Sequence, residues 1–151
     1  MKRTLVFTFF SFLLLIYMFS CAESQRKRNK FPNNIKGTSW IIKEGGLIHI
    51  DGEKSYHLSK KIDTALLFNF YAIDFIDDDR FKSYDSWECG NDCFTAIVGR
   101  YYFTGIDQIE MEVDRITHSG TCEVPVQVFK PSKVMSFEMV KTGDQLQLIR
   151  K

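Results

Sequence analysis

Several features common in enzymes and nucleic-acid-binding proteins are missing from this 151-residue chain. Neither sign of charge dominates, since 20 Lys and Arg stand against 19 Asp and Glu. A nucleic-acid-binding domain usually carries a basic excess, so we expect no nucleic acid as partner. No Gly-x-Ser-x-Gly motif surrounds a candidate nucleophile, and the three histidines form no i, i+4 pair. The sequence therefore predicts a protein that is not an enzyme and holds no cofactor.

Helical periodicity is also missing after residue 20, and short alternating segments take its place. The clearest lies at 108–115, where Ile109, Met111 and Val113 alternate with acidic residues. Side chains of a strand point to opposite faces with period two, so this segment predicts a strand with one buried face. The same reasoning yields about eight or nine strands. The candidate segments are 39–43, 64–76, 80–84, 94–103, 108–115, 122–129, 133–140 and 145–149, with 47–50 and 55–58 as weaker candidates.

The spacing of these segments, with turn residues between them, is typical of an antiparallel meander. The aromatic content of 15% suits a β core, because flat rings pack well on a pleated surface. Closing the meander removes its exposed edges. We therefore predict an all-β domain, a small antiparallel meander that closes into an approximately eight-stranded barrel.

The one long apolar run lies at the N-terminus, behind Lys2 and Arg3. Residues 1–20 have the layout of a secretory signal peptide, and Cys21 follows the small residue Ser20. This pattern predicts a bacterial lipoprotein that is cleaved before Cys21 and acylated on its thiol. We expect an exported protein, anchored by lipid at the outer membrane and facing periplasm or surface. An uncleaved membrane anchor and a soluble secreted form, cleaved after Ala22, are the alternatives.

The composition changes again at about residue 35, which sets the domain boundaries. Residues 21–34 are polar and without periodicity, and we predict a flexible lipid-anchored linker there. Residues 35–151 form the barrel domain. Loss of Lys2 and Arg3 with the leader leaves 18 basic and 19 acidic residues. The basic cluster at 26–30 is either a solvated tether or a contact with anionic lipid head groups.

The two ends of the barrel domain carry the residues of a family resemblance. The opening Gly37-Thr38-Ser39-Trp40 and the closing Arg150 resemble lipocalin-like domains of bacterial envelope lipoproteins. In that family a Gly and a Trp mark the barrel floor, and a basic residue near the C-terminus covers the Trp ring. The resemblance implies this arrangement for Gly37, Trp40 and Arg150 here. The second resemblance, to META-type envelope domains, concerns the same opening and the turn Cys89-Gly90-Asn91.

Cysteines are odd in number after Cys21, so Cys89, Cys93 and Cys122 cannot all pair with one another. An exported compartment favours disulfides. We expect Cys93–Cys122, because both adjoin predicted strands, with Cys89–Cys122 as the alternative. Together with His118 these thiols could hold a soft metal. Their spacing differs from that of zinc ribbons, so we predict no metal site.

An eight-stranded barrel can hold one small ligand unless side chains fill its interior. The apolar residues that could line such a cavity are Phe68, Phe70, Phe103, Met111, Met135, Phe137 and Met139, and the 84–87 loop could form one side of the mouth. The sequence thus predicts a non-enzymatic, membrane-anchored lipoprotein that binds a small hydrophobic ligand. The alternatives are a structural or protein-interaction lipoprotein with a filled core, and a thiol- or metal-based stress sensor.

Overall fold

A computed structural model of the protein describes residues 31–47, 54–62, 68–88 and 92–151. These ranges contain eight strands that pair antiparallel and close into a barrel. The predicted all-β barrel is therefore confirmed. The strands are β1 (Thr38–Ile42), β2 (Ser55–Lys60), β3 (Phe70–Phe75), β4 (Arg80–Ser86), β5 (Cys93–Gly105), β6 (Gln108–Gly120), β7 (Gln127–Thr142) and β8 (Gln145–Arg150).

The strand order follows a meander only from β3 to β8. In an up-and-down barrel each strand pairs with its neighbours along the chain. Here β2 lies between β1 and β8, and β3 pairs with β1. The β2–β3 connection therefore passes β1. Lys61 follows β2 and Phe70 begins β3, and the two meet on the outside of the barrel. Lys61 Nζ lies 5.3 Å from the centroid of the Phe70 ring and 3.0 Å from Tyr84 Oη on β4.

Several strand limits differ from the predicted ones. β7 begins at Gln127 instead of residue 122 and continues through Pro131, which follows a cis peptide bond. Proline cannot donate to a ladder and is tolerated at irregular pairing. The β6–β7 register accordingly shifts between Val113 and Arg115. β3 begins at Phe70, so 68–69 of the predicted 64–76 strand are loop, and 48–50 and 63–67 lie outside the described residues.

The barrel interior is filled by large apolar side chains. Six aromatic residues are at most 2% exposed, and two of them, Phe75 and Tyr101, pack edge to face with ring centroids 4.9 Å apart. Tightly packed rings leave little room between them. The six are Trp40, Tyr56, Phe75, Phe81, Tyr101 and Phe137. Among the described residues, these side chains therefore form a packed core that stabilises the fold.

The N-terminal segment closes the end of the barrel where β1 begins, which we call the lower end. Asn33 Nδ2 donates to Tyr101 Oη at 2.8 Å, and the Tyr101 hydroxyl donates to the Asp77 carbonyl. Burial raises the pKa of Tyr101 to about 12. Phe31 packs against the core. Residues 31–34, which the sequence assigned to the linker, thus belong to the folded domain.

The proposed floor residues lie at different ends. Gly37 has φ +67° and donates its N–H to Phe75 O at 2.7 Å, and Trp40 is 1% exposed. The cation over the Trp40 ring is Lys141, whose Nζ lies 5.9 Å from the centroid and 3.0 Å from Asn34 O. Register places Arg150 opposite Phe137, whereas Trp40 lies opposite Lys60. Arg150 is thus at the other end of β8, a correction that only the register reveals.

None of the described residues forms a helix of the length and apolarity that crossing a membrane requires. The predicted leader, 1–20, and the predicted lipidation residue Cys21 lie outside the described residues.

Candidate functional site

A row of polar side chains crosses four neighbouring strands at the upper end, where β4 ends and β5 begins. Tyr71 on β3 is paired with Asp85 on β4, and Thr95 on β5 with His118 on β6. The Asp85 carboxylate joins the two pairs, because its Oδ1 accepts the Thr95 N–H at 2.7 Å. All four residues are half-buried. Together with Trp87 they are called the mouth site below.

Strand alternation directs these side chains into the barrel. Asp85 lies two residues beyond buried Ser83, and His118 two residues beyond buried Ile116. Residues two apart in a strand share a face. The next row towards the lower end is almost entirely apolar and consists of Ile73, Ser83, Ile97 and Ile116. The mouth site is therefore a polar layer on top of a filled apolar interior.

Two rings form the aromatic part of the mouth site. Tyr71 and Trp87 meet edge to face, with ring centroids 5.4 Å apart and planes at 90°. Both are half-buried, so each offers surface to a ligand. Of the predicted mouth segment 84–87, Asp85 and Trp87 lie in the mouth site. Tyr84 faces outward, where its ring lies 6.4 Å from that of Phe70.

The predicted disulfide lies beside the polar row. Cys93, the first residue of β5, is bonded to Cys122, which follows β6, and this confirms the favoured pairing. The alternative partner, Cys89, lies outside the described residues. His118 Nδ1 lies 3.2 Å from Thr95 Oγ1 and 3.9 Å from Cys93 Sγ. The bond therefore closes the upper end of the longest hairpin next to an imidazole.

Most residues predicted to line a cavity fill the interior instead. Five of them are at most 3% exposed: Phe103, Met111, Met135, Phe137 and Met139. A residue that lines an open cup would expose part of its side chain, and these do not. Phe68 is 52% exposed, because β3 starts two residues after it. Phe70 points outward, since its neighbour Tyr71 faces the interior.

Sequence patterns alone missed Tyr71 and Thr95, and they included Asp85 only as a member of the 84–87 segment. A signal existed for Asp85, because it continues the alternation of Phe81 and Ser83 with a charged residue on a buried face. The mouth-site residues lie side by side because of how β3, β4, β5 and β6 are paired, and the alternation of apolar and polar residues does not show that pairing. His118 was considered only as a metal ligand.

Comparison of the chain with protein-family models, with curated proteins and with solved structures finds no match. Fold and site define a class nonetheless: an eight-stranded antiparallel barrel with an apolar core and a layer of half-buried polar side chains at its upper end.

Proposed function

We propose that this protein is a non-enzymatic lipoprotein of the bacterial envelope that binds a small amphipathic ligand at the mouth site. The observation that carries the proposal is the half-buried polar row with its ring pair above a filled interior. Binding sites typically combine aromatic walls with a few placed polar groups. A ligand would rest in the mouth and not deep among the core rings.

The chemistry of the mouth site restricts the ligand. A flat apolar part fits against Tyr71 and Trp87, whose rings stand perpendicular to each other. The carboxylate of Asp85 favours a hydrogen-bond donor, such as an amine or a hydroxyl, over an anionic group. Thr95 and His118 add groups that both donate and accept. The ligand class is therefore a small aromatic or aliphatic molecule with a donor at one end.

The anchor and the mouth site lie at opposite ends in this proposal. The chain reaches the barrel at the lower end, where Asn33 bonds to Tyr101. The ten steps along the chain from Cys21 to Phe31 span at most about 35 Å when extended. A lipid on Cys21 would therefore tether the lower end to the membrane within that distance and leave the mouth site, at the opposite end, accessible from the aqueous compartment.

A second function, docking of a protein on the outside of the barrel, is supported by a different feature. Five valines on β7 and just before it are 45–59% exposed: Val124, Val126, Val128, Val134 and Val140. Apolar side chains that remain exposed along one strand can take part in an interaction site. A lipoprotein with a filled core and such a face would act through a partner and not through a ligand.

The two tryptophans allow a direct test of the mouth site. Trp87 lies in it, whereas Trp40 is buried at the lower end. W40F leaves Trp87 as the only indole, and W87F leaves Trp40. The probe is a cationic amphipathic aromatic, 1-naphthylmethylamine. We expect saturable change of the Trp87 emission in W40F and almost none of the Trp40 emission in W87F.

Matched variants separate the mouth site from nonspecific adsorption. D85N removes the negative charge and is expected to weaken binding about tenfold or more, since hydrogen bonds to charged groups contribute about 1.5–3 kcal/mol. Y84F alters a tyrosine on the outer face and should leave the affinity unchanged. Equal affinities for D85N and the unmodified protein, or a Trp40 response equal to that of Trp87, would refute a ligand at the mouth site.

A further inference from the structure

Three side chains that commonly bind metals meet at the upper end of the β5–β6 hairpin. The ligand atoms of Cys93, His118 and Cys122 all lie within 4.8 Å of one another, and the three residues are half-buried. They come from the start of β5, from β6 and from the segment after β6. In the oxidised protein the two sulfurs are bonded to each other. A metal needs the thiolate form of cysteine, so the disulfide withholds both sulfur ligands.

We propose that reduction of the Cys93–Cys122 bond creates a binding site for a thiophilic ion such as Zn²⁺, with His118 as the third ligand. Two thiolates and an imidazole are donors that Zn²⁺ prefers in proteins. Three protein ligands leave the fourth tetrahedral position to water, which is the arrangement of an exchangeable site. The upper end of the hairpin is then closed either by the disulfide or by the metal.

The distances required by zinc are close to those present. With Zn–S of about 2.3 Å and Zn–N of about 2.0–2.1 Å, tetrahedral geometry places the sulfurs about 3.8 Å apart and each about 3.6 Å from the nitrogen. Cys93 Sγ already lies 3.9 Å from His118 Nδ1. The two cysteine Cα atoms are 5.1 Å apart, so side-chain rotation can supply the sulfur separation. Cys122 lies outside the strands, where small backbone adjustments disturb no ladder.

The polar row keeps the imidazole at the two sulfurs. His118 Nδ1 lies 3.2 Å from Thr95 Oγ1, directly across the β5–β6 pair. The backbone of Thr95 is itself fixed by Asp85, whose carboxylate accepts its N–H. The same nitrogen would bind the metal, so the Thr95 contact holds the ring beside the sulfurs in the oxidised protein and is replaced by the metal bond in the reduced one.

The exchange between the two forms balances in atoms and electrons. A dithiol reductant gives two electrons and two protons to the Cys93–Cys122 bond and becomes a disulfide itself. Binding of Zn²⁺ then displaces the two thiol protons to solvent. In the reverse direction, a disulfide oxidant takes the two electrons from the thiolates, the S–S bond forms again and the ion leaves.

The test is a titration of the intact protein with Co²⁺, which replaces Zn²⁺ and absorbs visible light when bound to thiolates. Protein reduced with a phosphine under argon should bind one Co²⁺ with thiolate-to-cobalt absorption, and added Zn²⁺ should remove the absorption. Protein that retains the disulfide should show none. Far-ultraviolet circular dichroism and emission of buried Trp40 report whether the reduced barrel remains folded.

Three variants decide which side chains bind. H118A should weaken Co²⁺ binding by at least about 100-fold, because outer-shell partners alone are worth 10–100-fold. H57A, which removes an exposed imidazole on β2, and C89S should both bind like the unmodified protein. Equal binding by H118A, undiminished binding by the oxidised protein, or loss of binding in C89S would overturn the proposal. So would a reduced chain that is unfolded and does not refold with Zn²⁺.

Discussion

Removal of the Cys93–Cys122 bond should lower the free energy of unfolding substantially. The bonded residues are 29 positions apart, and a closed loop of this length is worth about 3–4 kcal/mol in the chain-entropy model. The double variant C93A/C122A removes the bond without leaving an unpaired thiol at either position. For a barrel of this size the loss corresponds to a melting temperature lower by about 10–15 °C.

The position of the disulfide also predicts which part of the barrel loosens when the bond is removed. Cys93 pairs with Gly120 at the upper end of the β5–β6 ladder, so loosening should begin there. Hydrogen exchange is expected to accelerate at 93–97 and 116–120 and to change less near Tyr101, deep in the core. Urea unfolding followed by Trp40 emission gives the free energy, and exchange mass spectrometry gives the location.

The C89A variant is the matched control for this prediction. If Cys93 and Cys122 form the only bond that contributes, C89A should unfold at the same urea concentration as the unmodified protein. A loss below about 1 kcal/mol in C93A/C122A would contradict the chain-entropy argument. A large loss in C89A, with little in C93A, would show that Cys89 is the true partner of Cys122.

Three further predictions concern the barrel itself. G99A should destabilise the fold by about 3 kcal/mol or more, because a Cβ there would lie 2.0 Å from Glu112 O; thermal melting measures the loss. Y101F should cost about 1–3 kcal/mol in urea unfolding, since two hydrogen bonds disappear. The hydrogen bond from Arg80 lowers the pKa of Asp77 to about 2, so its stabilisation is present above pH 4 and lost as pH falls towards 2. D77N should remove that part of the acid dependence, measured as free energy of unfolding against pH.

The residue patterns predicted the class of fold but not the order of the strands in the sheet. Alternation at Ile109, Met111 and Val113 identified β6, because these three residues of one face are buried and their neighbours are not. Alternation does not show which strands are neighbours, so it could not predict that β2 lies between β1 and β8. The segments predicted at 122–129 and 133–140 belong in part to one strand, β7, which passes Pro131 at an irregular pairing where residue alternation is interrupted.

The sequence predicted the residues of the candidate site less well than it predicted the fold. Apolar residues such as Met135 and Met139 were expected to line a cavity, yet they are buried, because composition does not distinguish a lining residue from a filling one. The mouth site consists of residues from four strands, which only register brings together. Lys141 and not Arg150 covers Trp40 for the same reason: the two are on neighbouring strands, but at opposite ends.

Mass analysis of the intact protein isolated from its own cells, with and without thiol alkylation, tests the central claim most directly. An exported and anchored barrel predicts a chain that begins at Cys21, carries the added mass of acyl groups, and has Cys93 and Cys122 protected from alkylation until reduction. A chain that still begins at Met1, carries no lipid and has four alkylatable thiols would contradict it.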